Sequence, residues 1–500
     1  MTDQPVIAGF FPDPSICRVG DTYYLVNSSF EYLPGVPVHT STDLVNWTQI
    51  GNALTRPEQV AEHDGYGSAG IFAPTIRHHE GTFWIIGTNV NDIPLGRGHF
   101  LIHAQDPAGP WSDPIYVPEA IGIDPDIVWN ESGTAYVTWC SLNPAEPGIR
   151  SAPVDTTTGT LLAPAQQLWS GTGLSFPEGP HLYRIDGWWY LLLAEGGTER
   201  GHAVTIARAR KIEGPYEAAP SNPILSHRSL PHPVQNTGHA DLVQLADGNW
   251  AAVHLGVRPR GQTPGFHVNG RETFLVGVDW ADGWPVVDDS RYTASSIDRT
   301  FEDRFDDALL NPRWLGVGRY PTSFTRPSPE AGLLVETEAG QGRALLCSRA
   351  TDNVWTATTS FTADKGSGRF LLRLDDRHWY GLTYDGATVT AAVTIGPFEH
   401  TIGTWTPANG TAPVLRISAQ TAQVLPHGVS LEPDLIELAA SDTDGEHVFG
   451  AFDGRYLSTE VAGGFTGRVF GVEALTGEIH LHSVTYTPTH TVSDTTEPAA

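Results

Sequence analysis

The sequence predicts an all-β chain in which a five-bladed β-propeller is followed by a β-sandwich. Three observations carry that reading. Similar hairpin segments recur five times between residues 14 and 254. From Thr300 they give way to a different pattern of alternating strands. The composition, 53 Gly and 38 Pro in 500 residues with 40% hydrophobic and 10% aromatic residues, suits many short strands joined by turns and stays below the proportions of a disordered chain.

The five segments are PSICRVGDTYYLVNS (14–28), PTIRHHEGTFWIIGT (74–88), PDIVWNESGTAYVTW (125–139), PHLYRIDGWWYLLLA (180–194) and ADLVQLADGNWAAVH (240–254). Their starts lie 60, 51, 55 and 60 residues apart. Each joins a short apolar strand to an aromatic-rich one through a polar, Gly-containing turn. Such turns tolerate positive φ, while the flanks suit a pleated buried surface. A weaker second repeat follows in STDLVNW (41–47), AQDPAGPW (104–111), ARKIEGPY (209–216) and VDWADGW (278–284). Each unit thus supplies up to four strands, and four-stranded units arranged radially make a propeller. The near-regular spacing weighs against a sandwich with accidental internal similarity.

After FEDRFDDALLNPRWLGV (301–317), segments such as GRFLLRLDDRHWYGLTYDG (368–386), ATVTAAVTI (387–395) and EIHLHSVTYT (478–487) read as sandwich strands. The expected organisation is a propeller over 1–288, a linker over 289–300, a sandwich over 301–490 and a polar, flexible tail over 491–500.

Lys and Arg number 29 against 57 Asp and Glu, a net charge of −28. That excludes nucleic acid and anionic membranes as partners, since both need clustered positive charge. Cys17, Cys140 and Cys347 are too few and too far apart for a disulfide framework or a CxxC metal site. No signal peptide and no membrane-length apolar run are visible, so a cytoplasmic protein is expected.

In a propeller the first strand of each blade lines the central channel. The residues just before those strands therefore converge, and here they are Asp13, Ala73, Asp124, Gly179 and His239, with Glu178 one position further back. Singly, an Asp before Pro reads as a turn former. Together, three carboxylates and a histidine are costly to gather without a purpose. Two carboxylates flanking a bond are the machinery of glycoside hydrolysis, and a third can raise the acid's pKa. Glu178, long and flanked by Phe176, Pro177 and Pro180, is the candidate acid; Asp13, held in FFPDPS, is the candidate base. Glu195 in LLAEGGT reads as structural.

At these residues the sequence resembles glycoside hydrolase family 43, and within it the two-domain β-xylosidases. The motifs are GFFPDPSI with YYLVNSSFEYLPGVPVHTSTDLVNW, IFAPTIRHHEGTFWII, GIDPDIVW, FPEGPHLY, TGHADLV and GRETFL. The resemblance implies a concanavalin-like sandwich and an inverting mechanism. Asp13 would be general base, Asp124 the pKa modulator and Glu178 general acid. It also implies substrate contacts from Arg271, Phe30, Phe72, His239, Trp139 and Phe465. Phe72 stands where many relatives carry tryptophan, Trp139 is open to a core role, and Phe465 in TEVAGGFTGRVFG is the residue expected to reach across from the sandwich. His239 either hydrogen-bonds channel water or ligates, through water, a structural calcium ion; no cofactor is required for the chemistry.

The expected function is an exo-acting β-xylosidase releasing xylose from β-1,4-xylo-oligosaccharides. The alternatives are α-L-arabinofuranosidase or bifunctional activity and, more remotely, a non-catalytic carbohydrate-binding propeller. A homo-oligomer is compatible with the resemblance.

Overall fold

The computed structural model describes residues 4–261, 265–294, 297–338, 340–408, 412–421 and 434–489; the expected tail over 491–500 lies outside them. Five antiparallel four-stranded sheets follow one another through the first part of the chain. They open with the strands Ser15–Val19, Thr75–His79, Gly122–Trp129, Glu178–Ile185 and Gln235–Gln244, and the last sheet ends with Trp284–Asp288. The opening strands of neighbouring sheets lie against one another in a closed ring, the first meeting the fifth. This is a five-bladed propeller.

Strand alternation explains how the blades pack. Successive side chains point to opposite faces of a strand, so each blade feeds two seams. Leu191 enters the seam with blade 3, while Leu192 enters the seam with blade 5. Ile85 faces blade 1 and Ile86 faces blade 3. The fifth seam, between blades 5 and 1, is built from Ile16, Tyr23, Leu25, Val243, Val253 and Leu275.

Polar side chains close the ring. The Ser15 hydroxyl and the Ile16 N–H donate to Asp241 at 2.7 and 2.9 Å, joining blade 1 to blade 5. Arg77 of blade 2 donates to Asp241 at 2.7 Å and to Asp126 of blade 3 at 2.9 Å. The Tyr183 hydroxyl of blade 4 donates to Asp241 at 2.5 Å. Asp126 and Asp241 are both fully buried. A buried carboxylate is tolerated only with such partners, so this cluster both fills the channel and fixes the blades.

The second part folds around two long strands, Trp355–Asp375 and Val469–Pro488, paired along most of their length. Register shifts between Ser360 and Gly368 bend the first of them. Its beginning pairs with Val414–Gln420 and its end with His378–Tyr384, which puts the two halves into different layers. Phe361, Phe370, Leu382, Ile417, Leu438, Phe470 and Leu481 fill the space between, giving a two-layer sandwich. No helix among the described residues is long and apolar enough to cross a membrane.

The two parts are joined directly. Gly316–Val317 pairs with Tyr32–Leu33. Buried Asp434 accepts from Arg260 at 2.7 Å and from Arg468 at 2.6 Å, tying the propeller to the sandwich.

Candidate active site

Four of the five inner strands begin with the same irregularity. Asp13, Asp124, Gly179 and His239 occupy equivalent positions and all have positive φ, between 50° and 57°. In blades 3, 4 and 5 the ladder shifts register there, between Ile123 and Asp126, Glu178 and His181, and Gly238 and Asp241. Asp and His are among the few non-glycine residues that visit this region, and strain of this kind concentrates at functional sites. The kink turns each side chain out of the ladder and onto the end of the channel. Gly179 itself has no room for a side chain, since a Cβ there would lie 2.9 Å from the His239 ring; the kink instead presents Glu178.

Asp13 is held from two sides. Arg271 donates to its Oδ1 at 2.8 Å and the Ser28 hydroxyl to its Oδ2 at 2.5 Å. Burial alone would raise its pKa, but Arg271, His239, the Ser28 bond and His202 outweigh burial and hold the carboxyl below the usual range. Asp124 accepts from the Gly179 N–H at 3.2 Å and lies 3.5 Å from His239 Nε2. Glu178 is pushed up to about 7, first by burial and then by the charge of Asp124, with Asp13 adding to both. His239 is raised to about 9, because Asp13 and Asp124 more than offset its burial. One carboxyl thus favours its anion and another favours its acid form up to about pH 7 in the same space.

That space is a pocket of about 450 Å³, within the range of small-ligand sites. Its floor carries Asp13, Asp124, Glu178 and His239, with Arg271 beside Asp13. Its wall is an aromatic group: Phe30, Phe72 and Phe465 have ring centroids 5.4 to 5.9 Å apart. Phe465 comes from the sandwich. Its N–H donates to the Ser68 hydroxyl at 2.8 Å, and its carbonyl faces Arg271 Nη2 at 3.5 Å. The Arg271 guanidinium lies 5.7 Å from the Phe30 ring and 5.6 Å from the Phe465 ring, and its Nε is buried without a partner among the described residues.

Trp139 is a correction. It does not line the pocket; it is 3% exposed and packs with Ile86, Leu101 and Val137 in the seam between blades 2 and 3. It lies on the second strand of its blade, Ala135–Ser141, whose side chains alternate between the two flanking seams. Glu195 is fully buried and accepts from Thr172 and Thr205, a structural arrangement. Sequence reasoning passed over Ser28, Thr198 and Glu199, and took Phe176 only as a flank of Glu178. The first bonds Asp13, and the other three line the pocket. Thr198, Glu199 and Phe176 lie outside the repeat segments, whereas Ser28 ends the first of them and was within reach.

The channel offers a calcium ion few free protein oxygens among the described residues. The acidic oxygens that face it, on Asp126 and Asp241, already receive Arg77, Leu182 N–H, Ser15, Ile16 N–H and Tyr183. Near His239 the unpartnered buried donors are nitrogens, His239 Nδ1 and His202 Nε2. Calcium takes six to eight oxygens; with the Asp126 and Asp241 oxygens already engaged, an ion near His239 would draw most of its shell from water, and Arg77 supplies the positive charge that balances these two carboxylates.

A propeller that gathers an ionised and a protonated carboxyl in one sugar-sized pocket defines a glycosidase of the acid–base kind. Comparison with known proteins gives the family. The chain belongs to the glycosyl hydrolases family 43, whose pattern matches residues 2–285. It is 41% identical over 362 residues to a xylosidase/arabinosidase of Butyrivibrio fibrisolvens, covering 67% of this chain and 68% of that protein. It is 42% identical over 346 residues to a non-reducing end alpha-L-arabinofuranosidase of Bacteroides ovatus, covering 66% and 64%. The chain thus aligns with about two thirds of the length of these relatives. Among solved structures it is similar to the Bacteroides ovatus Xyloglucan PUL GH43B protein, with 32% identity, a TM-score of 0.86 and coverage of 98% and 100%. It is also similar to the Bacillus halodurans xylan beta-1,4-xylosidase, with 27% identity, a TM-score of 0.84 and coverage of 97% and 100%.

Proposed function

We propose that this chain is an exo-acting, inverting β-xylosidase that releases terminal xylose from β-1,4-xylo-oligosaccharides. The observation that carries the reading is the opposite tuning of Asp13 and Glu178 within one pocket. Asp13 takes a proton from water as its oxygen bonds to the anomeric carbon. The glycosidic C–O bond breaks on the opposite face, and Glu178 gives its proton to the departing oxygen. Exchange with solvent restores both groups. Asp124 keeps Glu178 protonated by its charge and holds the Gly179 peptide. Arg271 holds Asp13 ionised and lines the pocket beside it. The aromatic wall of Phe30, Phe72 and Phe465 encloses the terminal sugar, which favours removal from chain ends.

α-L-arabinofuranosidase activity is the second reading, favoured by the name of the Bacteroides ovatus relative. Parallel assays with nitrophenyl β-D-xyloside and nitrophenyl α-L-arabinofuranoside decide between them. A xyloside preference of tenfold or more in kcat/KM supports the first reading, and the reverse preference overturns it. Proton NMR of the first-formed sugar tests inversion: α-xylose is expected, and β-xylose would refute it. Hydrolysis of neither substrate would favour a carbohydrate-binding role. Three free cysteines, two of them buried, support a cytoplasmic location, testable by fractionating the native host.

A further inference from the structure

We infer that His227, His232 and Asp289 form a divalent-metal site of the zinc type at the fifth blade, separate from the active site. His227 and His232 lie in the segment leading into that blade, and Asp289 directly follows its last strand, Trp284–Asp288. One donor atom from each lies within 4.8 Å of the others. They border a cavity of about 10 Å³ together with buried His254, roughly the room one water-sized atom needs.

The hydrogen bonds argue for a cation there. His227 Nδ1 lies 2.9 Å from the Val234 carbonyl, which can only accept, so Nδ1 carries a proton. Its Nε2 then offers a lone pair, yet it faces Asp289 Oδ2 at 3.2 Å. A lone pair against a carboxylate is repulsive unless a positive charge lies between them. A second proton on His227 would supply one but would leave its neighbour unserved. The His232 ring is 3.8 Å from the His227 ring. Its Nδ1 lies 3.1 Å from both the N–H and the carbonyl of Val234; donating to the carbonyl, as His227 does, leaves a lone pair on its Nε2, which is buried with no partner among the described residues. A metal ion satisfies all three donors at once. The carbonyl bond of His227 is the orienting contact that metal-bound imidazoles make. His254 also lines the cavity; its Nδ1 lies 2.8 Å from the Leu255 carbonyl, which turns its Nε2 into the acceptor.

Two imidazoles and one carboxylate match zinc better than calcium or magnesium, which prefer all-oxygen shells. With bonds of about 2.0–2.2 Å, tetrahedral donors stand roughly 3.4 Å apart, so binding draws the three side chains together by little more than an ångström. The ion would clasp the end of the propeller chain to the loop that enters the same blade. Its effect is on stability, not on turnover.

The test uses untagged full-length protein, stripped with a chelator and desalted. Zinc chloride is titrated by calorimetry and thermal unfolding, and cobalt chloride by visible absorption. One equivalent of zinc, a rise in Tm of several degrees and a tetrahedral cobalt band are expected. His232→Ala and Asp289→Asn should each abolish all three while leaving kcat/KM on nitrophenyl xyloside within twofold. Stripped parent protein that shows neither zinc binding nor a cobalt band would overturn the site, leaving a His227–Asp289 ion pair. Equal binding by parent and both variants would overturn it as well.

Discussion

Glu178 keeps its proton to about pH 7 because burial and the charge of Asp124 both disfavour its anion, whereas Arg271 and Ser28 stabilise that of Asp13 despite burial. In the proposed mechanism the rate needs Glu178 protonated and Asp13 ionised. kcat/KM should therefore fall above about pH 7 and hold down to below pH 4, where Asp13 gains its proton; an alkaline limb near pH 5 would contradict the assignment. Asp13→Asn should lose about 10²–10⁴-fold in kcat on any substrate. Glu178→Gln should lose a similar factor on xylobiose, less on nitrophenyl xyloside, and should lack the alkaline limb. The same shift has a sign for stability. A folded pKa raised from 4.5 to about 7 favours the protonated form, so the associated stability is complete below pH 4.5 and is lost as pH rises through 7. Glu178→Gln should then be more stable than the parent at pH 8 by on the order of 3 kcal/mol and unchanged at pH 4, as read by denaturant unfolding. The positions of these carboxyls were legible because they precede equivalent strands. Thr198 was not, because a loop residue inherits no register from the repeat.

At the scale of elements, the useful distinction is between first strands and the rest. A first strand ends at the channel, and its kink aims one side chain at the pocket. A second strand mainly feeds seams, and an aromatic such as Trp139 looks the same in sequence whether it walls a sugar or fills a core. Trp139→Phe should cost about 1–3 kcal/mol in unfolding free energy through the void it leaves, with KM unchanged; a tenfold rise in KM would return it to the substrate. The segment around Phe465 behaves oppositely. Gly467 lies so close to the propeller that a Cβ would stand 2.4 Å from the Asn269 carbonyl, and Arg468 N–H donates to the Val268 carbonyl at 3.1 Å. The segment is fastened by backbone on the propeller and offers only Phe465 to the pocket. Phe465→Ala should raise KM for xylobiose about tenfold and leave kcat within threefold; unchanged KM would remove it from the sugar site. Its place was legible from a motif, while the contact that seats it was not.

At the scale of the molecule, the active site is complete only where the two parts meet, so whatever fixes their docking also governs the pocket. The five seams follow from alternation along strands that the repeat made visible. The docking does not, since Arg260, Asp434 and Arg468 are far apart in sequence and obey no spacing rule. Asp434 is fully buried, and each of its oxygens takes one guanidinium, Arg260 from the propeller and Arg468 from the sandwich. Arg468 also donates to the Leu457 and Gly454 carbonyls, so the same cluster anchors both ends of the segment that carries Phe465. Neutralising Asp434 would leave two buried cations facing each other, and breaking such a set typically costs 3–5 kcal/mol. Asp434→Asn should accordingly lower Tm and, at temperatures where the chain remains folded, raise KM much as Phe465→Ala does, with the Glu178-dependent alkaline limb near pH 7 unmoved. The combination is diagnostic. Lost stability with unchanged KM would mean that the pocket is positioned by the propeller alone and that the sandwich is a passive neighbour.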